Sequence, residues 1–256
     1  MVLSPDARVL ATIRIGEVDL PITLTLATTW GVMGLLVLSA LAIIRQAAPD
    51  IRADALRAPS RSQLALEIVV EGLETQIGEI SRRRPGRFLP FIGTLFLFIA
   101  TSNLLLVVPG FVPPTASLST TAALAIAVLL AVPVFAVAER GLGAYLAAYL
   151  QPNPVMLPFN LIGEITRTLA LAVRLYGNVM SGTVIAAILI GLTPFFLPVV
   201  MDALGLITGM IQAYIFAVLA MVYIAAAVGS ETDPPPVTAP IDAPPTKDLP
   251  TKDPQP

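Results

Sequence analysis

The sequence predicts an all-α integral membrane protein with about five membrane helices and one amphipathic cytoplasmic helix. Its mean hydropathy is +0.84, and 56% of its residues are hydrophobic while only 12% are charged. Several windows of more than about 18 apolar residues carry few or no charges, which is typical of membrane-spanning helices. The last two spans are predicted to form a long, strongly tilted hairpin, because each arm exceeds the roughly 20 residues needed to cross a bilayer.

The composition excludes several classes of chemistry. The chain has no histidine and no cysteine, which excludes histidine-ligated haem, iron–sulfur clusters and the usual zinc sites. Its only lysines, Lys247 and Lys252, lie near the C-terminus, so no P-loop lysine is available to bind nucleotide phosphates. We therefore expect no nucleotide site, cofactor, metal or nucleic-acid partner on this chain.

The first predicted span runs from Leu20 to Ile44 and ends at Arg45. The residues before it mix acids and arginines, unlike the basic start of a signal peptide. We therefore predict no signal peptide, although the segment 40–42, Ala-Leu-Ala, resembles a cleavage site and leaves that alternative open.

Arginine distribution predicts the topology. Residues 109–119 have no charge, whereas the segment between the first and second spans carries eight arginines. These are Arg45, Arg52, Arg57, Arg61, Arg82, Arg83, Arg84 and Arg87. By the positive-inside rule this segment and the C-terminus are cytoplasmic, and the N-terminus is outside. The expected location is the bacterial inner membrane.

Residues 60–80 within the arginine-rich segment predict an amphipathic helix. Apolar residues recur at helical spacing on one side, namely Leu66, Val69, Leu73, Ile77 and Ile80. Three glutamates occupy another side, namely Glu67, Glu71 and Glu74. The acidic side disfavours anionic lipid, so the helix either docks on a partner protein or is a solvated surface helix.

The remaining spans are predicted at 88–108, at 119–137, and at 157–228 as a hairpin with its turn at 191–198. Asn103 inside the second span needs a hydrogen-bond partner in lipid, so we expect it to face other helices. Residues 1–231 are predicted to form the membrane domain, and residues 232–256 a proline-rich disordered tail.

Arg174 lies deep within the first arm of the hairpin. An arginine at the bilayer centre costs about 2.5 to 3.5 kcal/mol on insertion scales, and no acid is present between residues 170 and 178. The sequence therefore predicts a counter-charge supplied by another chain.

Polar residues on the two arms follow helical spacing. One face of the first arm carries Arg167, Arg174, Asn178 and Ser181, and Thr183 lies on the opposite side. One face of the second arm carries Asp202, Gly205, Gly209 and Gln212. Antiparallel packing of the arms predicts that Asn178 faces Gln212 and that Thr183 faces Gly205. The simpler alternatives are interhelical hydrogen bonding for the two amides and an i, i+3 ion pair between Glu164 and Arg167.

Three blocks of sequence, ALAVRLYGNV, PFIGTLFLFIATSNLLLVVPGFVPPTASLSTTAALA and IQAYIFAVLAMVYIAAA, resemble the a subunit of rotary F-type ATP synthases. The resemblance covers roughly residues 20–230. It implies an ion-conducting stator in which two offset half-channels meet a ring of c subunits at one arginine, here Arg174. It further implies that the ring carboxylate is the partner of Arg174, and that Asn178 and Gln212 are the neighbouring amides. The b-type stator subunits are expected to contact the 60–80 helix and the first membrane helix.

Two positions depart from the family pattern. Many members have a glutamate where Thr183 stands and a histidine or glutamate where Gly205 stands. We predict that Asp202 serves the outer half-channel instead and that Glu164 serves the inner one, conducting protons or sodium ions. The structural alternative for Asp202 is an N-cap of the second arm after Pro198. The functional alternatives are a self-contained secondary transporter or channel, and a structural subunit of a redox complex.

Overall fold

The computed structural model describes residues 9–15, 18–53, 61–80, 85–108, 111–150, 153, 155–192 and 196–229. Its helices are α1 (Leu24–Ala53), α2 (Arg61–Ile80), α3 (Leu89–Leu104), α4 (Leu118–Arg140), α5 (Leu142–Leu150), α6 (Met156–Leu192) and α7 (Phe196–Val228). Within these described residues, five helices are long and apolar enough to cross a membrane, namely α1, α3, α4, α6 and α7. The predicted all-α membrane fold is confirmed. The predicted tail, residues 232–256, lies outside the described residues.

A small β-hairpin precedes the first span. Strands β1 (Val9–Ile15) and β2 (Val18–Thr23) pair antiparallel, so α1 begins at Leu24 and not at Leu20 as predicted. The sequence holds the signal for this hairpin, since two runs rich in β-branched residues are separated by Gly16 and Glu17. The apolar character of β2 made it look like the beginning of the span.

The core lies among α3, α4, α6 and α7. Their largest fully buried side chains include Ile99, Val128, Leu175, Phe216 and Ile224. Alanines are buried along α4 and α7 as well, and such small residues let membrane helices approach closely (Ala125, Ala136, Ala213, Ala217, Ala220). The alanine-rich helix α4 is therefore packed closely against its neighbours.

Helix α1 is peripheral to this core. Only 6% of its most apolar stretch is buried, and Trp30 is 62% exposed. Val32 is fully buried and belongs to the core cluster. The rest of the apolar surface of α1 therefore faces lipid or another chain.

The amphipathic helix α2 packs on its own chain. Leu73 and Ile77 are buried where α2 contacts α3 and α7, and the Tyr214 hydroxyl of α7 donates a 2.7 Å hydrogen bond to Gln76 Oε1. Glu67, Glu71 and Glu74 are exposed. The predicted helix and its two faces are confirmed, but the apolar face is covered by α3 and α7, which leaves the acidic side for any partner.

The α6–α7 hairpin has a shorter turn than predicted. Helix α6 continues to Leu192 and α7 begins at Phe196, so most of the predicted 191–198 turn is helical. Pro198 lies in the first turn of α7, where proline is tolerated because its missing N–H would have no intrahelical partner. At the C-terminal end of α4, Gly141 adopts a φ of 81°. The short helix α5, which the sequence analysis did not predict, follows it.

Candidate functional site

Arg174 is exposed on α6, about halfway along the helix. Arg167 and Ser181 are exposed on the same side, as the helical spacing predicts, and Asn178 is half-buried. Among the residues that the structure describes, Arg174 has no acidic ion-pair partner. A guanidinium in a membrane helix requires a counter-charge, and this one is directed away from the protein's own core.

A cavity of about 220 Å³ lies between α6, α7 and the end of α3, near the α6–α7 connection, and we call it the hairpin cavity. Its lining includes Asn103, Asn178, Thr183, Asp202 and Gly205. Thr183 and Gly205 therefore share one space, as the antiparallel register predicts. The structure thus brings together the two positions that depart from the family pattern, and neither Thr183 nor Gly205 carries a charge.

Asp202 is the carboxylate of the hairpin cavity. Its side chain is exposed and lines the cavity beside residues of α6. The N-cap interpretation of Asp202 is wrong, because α7 begins at Phe196 and places Asp202 inside the helix, beyond the first turn. A capping role no longer accounts for the carboxylate at this position.

Asn103 of α3 is hydrogen-bonded to α7 and to the connection between α3 and α4. Its Nδ2 donates a 2.8 Å hydrogen bond to the Gly209 carbonyl oxygen, and its Oδ1 accepts a 3.1 Å hydrogen bond from Thr115 Oγ1. Asn103 and Thr115 are both buried. The prediction that Asn103 faces other helices and finds a partner there is confirmed.

Gln212 lies one helical turn beyond Gly209 on α7. It is only 6% exposed, and its Nε2 has no hydrogen-bond partner among the described residues. Gly209 and Asn178 line the hairpin cavity together, whereas Gln212 is not among the lining residues. That Asn178 faces Gln212 stays a prediction.

A second cavity of about 410 Å³ lies at the other end of the hairpin, where α6 begins and α7 ends, and we call it the base cavity. Glu164 and Arg167 of α6 line it together with Arg140 and Tyr145. The Arg167 guanidinium carbon lies 5.7 Å from the ring centroid of Tyr223, which is cation–π distance. The sequence analysis did not identify Tyr145 or Arg140 as residues of this site.

The two cavities end on opposite sides of Arg174. On α6 the base cavity extends as far as Thr168, and the hairpin cavity begins at Asn178. At about 1.5 Å per residue this interval is roughly 15 Å long, and Arg174 lies inside it. Two cavities thus approach one arginine from opposite ends of the same helix without joining along it.

Comparison with known proteins identifies this arrangement. A family model described as ATP synthase A chain matches residues 26–225. The chain belongs to the ATP synthase subunit a family. It is 55% identical over 208 residues to ATP synthase subunit a 1 of Chlorobaculum parvum, covering 81% of this chain and 89% of the relative. It is 53% identical over 218 residues to ATP synthase subunit a of Albidiferax ferrireducens, covering 85% and 92%. With ATP synthase subunit a 2 of Acaryochloris marina it shares 56% identity over 203 residues, covering 79% and 84%.

Membership in the subunit a family confirms the resemblance inferred from the three sequence blocks. It assigns the chain to the membrane sector of a rotary F-type ATP synthase as a non-catalytic, multi-pass subunit. The alternatives of a self-contained transporter and of a redox-complex subunit are thereby excluded.

Proposed function

We propose that this subunit a conducts ions through two half-channels, the hairpin cavity on the outer side and the base cavity on the cytoplasmic side, with Arg174 between them. The observation that carries this proposal is that both cavities stop short of Arg174 from opposite ends of α6. Among the described residues, the two cavities do not join along α6. An ion entering one cavity must therefore cross on a carrier that moves past Arg174.

The carrier is the ring of c subunits, whose membrane carboxylate supplies the counter-charge that Arg174 lacks among the described residues of its own chain. The ring occupies the exposed side of α6 that carries Arg167, Arg174 and Ser181. A guanidinium stays protonated and presents five donors in a planar fork, which suits it to displace an ion from a carboxylate and to bind the bare anion. The same charge repels cations that would leak directly between the cavities.

The other residues follow from the cavities that they line. Asp202 is the ionisable group of the outer half-channel, where Thr183 and Gly205 cannot titrate, and Glu164 is that of the inner half-channel. Asn178 and Gln212 are the amides next to Arg174, and Arg167 is held by Tyr223 at the inner cavity. The conducted ion is a proton or a sodium ion.

The stator contacts are the surfaces of the chain left free by its own fold. The b-type subunits meet the exposed side of α1 and the glutamates of α2, since the apolar side of α2 is already covered. The chain lies in the bacterial inner membrane with its N-terminus outside and its C-terminus in the cytoplasm, as the arginine distribution indicates.

The test is Arg174→Ala in the whole complex, reconstituted in vesicles. We expect ATP-driven ion uptake and ion-driven ATP synthesis to be abolished while the complex still assembles, because Arg174 is exposed on α6 and no part of the buried core. Arg174→Lys should restore little, since an ammonium lacks the planar fork. Arg61→Ala, which replaces an exposed arginine at the beginning of α2, is the matched control and should retain normal flux.

Near-normal synthesis in Arg174→Ala vesicles would refute the proposal. The ion is identified in the parent vesicles: uptake of sodium that persists with a protonophore indicates sodium, and collapse of uptake indicates protons.

A further inference from the structure

Asn103 lies at the boundary between the hairpin cavity and the buried amide of Gln212. Asn103 and Gly209 both line the cavity, while Gln212 follows Gly209 by one helical turn and is buried. The contact between Asn103 and Gly209 therefore marks where the cavity ends on α7. This contact is a 2.8 Å hydrogen bond from a side chain to a backbone carbonyl in the middle of a membrane helix.

Gly209 leaves room for this contact. A Cβ atom at position 209 would lie 3.0 Å from both Cβ and Cγ of Asn103, closer than ordinary van der Waals contact. With no side chain at 209, the Asn103 amide reaches the carbonyl oxygen without displacement, and that oxygen has a second lone pair beside its intrahelical bond.

Thr115 fixes the orientation of the Asn103 amide. It belongs to the short 3-10 turn Pro114–Ala116 in the connection between α3 and α4, and it is fully buried. Because its hydroxyl donates to Asn103 Oδ1, the opposite end of the amide, Nδ2, is directed at Gly209. The connection that lies on the outer side thereby reaches the inner end of the hairpin cavity through one side chain.

We propose that the chain of hydrogen bonds from Thr115 through Asn103 to Gly209 closes the inner end of the hairpin cavity and restricts access from the outer side to Gln212. Asn103 is in this sense a positioning residue: it holds α7 against α3 one turn before the amide that neighbours Arg174. This inference rests on the proposed function of the hairpin cavity as the outer half-channel. A purely structural role would instead make Asn103 one of the many polar residues that join membrane helices.

The experiment uses the natural absence of cysteine. Gln212→Cys is introduced into the full chain within the assembled complex, and its labelling by a membrane-impermeant maleimide from the outer side is timed. Thr115→Val removes the hydroxyl at nearly constant shape, and Thr115→Ser keeps it as the matched control. We expect Thr115→Val to raise the labelling rate about tenfold, because losing one net hydrogen bond changes the population of the open state by about that factor. Thr115→Ser should leave the rate within about twofold.

Equal labelling rates with valine and serine at position 115 would overturn the inference, even if the valine variant lowered thermal stability. Rates are compared per assembled complex. If Thr115→Val does not assemble, Asn103→Asp replaces it, because aspartate keeps the side-chain volume and the acceptor but loses the Nδ2 donor to Gly209. A labelling rate in Asn103→Asp equal to that of the parent sequence at position 103 would likewise overturn the inference.

Gly205→Cys separates this inference from the proposed function. Position 205 lines the hairpin cavity, and its added Cβ would meet Leu106 at an ordinary 3.6 Å. It should react from the outer side in every background. No reaction at 205 would refute the outer half-channel itself, whereas reaction at 205 with a rate at 212 that ignores Thr115 would refute only the role of Asn103.

Discussion

Arg174 and Asn178 lie one turn apart on α6, and of the two only Asn178 is among the described residues that line the hairpin cavity. The rise between them is about 6 Å. At an effective dielectric constant of about 20, two unit positive charges at that distance repel by roughly 3 kcal/mol. A cation at the inner end of the cavity is therefore held back from Arg174 unless a carboxylate is present to receive it.

Glu164→Gln should impair flux through the base cavity. The carboxylate shares that cavity with Arg140 and Arg167, and a neutral amide can neither exchange a proton nor offset two positive charges. Losing an attraction of about 1.4 kcal/mol would lower cation occupancy tenfold, so we expect ATP-driven ion uptake to fall by roughly that factor. Glu79→Gln is the control and should pump normally, because Glu79 is exposed on α2 outside the face of Glu67, Glu71 and Glu74 that we assign to the stator contact. Equal rates in the two variants would remove Glu164 from the ion path.

Gly209→Ala and Gly205→Ala form a matched pair for packing in the hairpin. At 209 the added methyl group would lie 3.0 Å from Asn103, whereas at 205 its nearest neighbour would be Leu106 at 3.6 Å. Overpacking of this kind typically costs about 1–3 kcal/mol, so Gly209→Ala should lower the melting temperature of the detergent-solubilised complex while Gly205→Ala leaves it unchanged. Similar melting temperatures for both variants would show that Asn103 can move without cost.

Much of this architecture was predictable from the sequence, because membrane spans are set by length and hydropathy alone. The shared cavity of Thr183 and Gly205 was predictable too, since helical spacing and one turn position define the register. Details of tertiary packing were not predictable. Asn103 of a third helix reaches the carbonyl oxygen of Gly209, and nothing in the two arms encodes that insertion.

The ends of elements were equally hard to place. The β1–β2 hairpin was absorbed into the first span because the apolar residues of β2 run directly into α1. The helical content of the predicted turn was missed because prolines break helices in general but are accepted in a first turn. That error is what made an N-cap role for Asp202 look reasonable.

Topology can be tested by cysteine labelling in intact cells. Gly86 is exposed just before α3, and Leu118 is 50% exposed at the beginning of α4. Because the arginine-rich segment is expected in the cytoplasm, Leu118→Cys should react with an impermeant maleimide added outside, and Gly86→Cys should react only after the cells are opened. The reverse pattern would show that the assigned orientation is inverted.

Asp202→Asn should remove most ion flux while leaving the fold intact. Asp202 is exposed, lies beyond the first turn of α7 and lines the hairpin cavity, so an amide of the same size disturbs neither a cap nor the core. With uncharged residues at 183 and 205, no neighbouring carboxylate from those positions can replace it. We expect ATP-driven ion uptake to fall by at least tenfold, which corresponds to about 1.4 kcal/mol, and Asp202→Glu to restore a substantial part of it. The measurement is initial uptake in vesicles with equal amounts of assembled complex. Parental flux in Asp202→Asn would mean that water and the hydroxyl of Thr183 conduct the ion through the outer cavity without any titrating group.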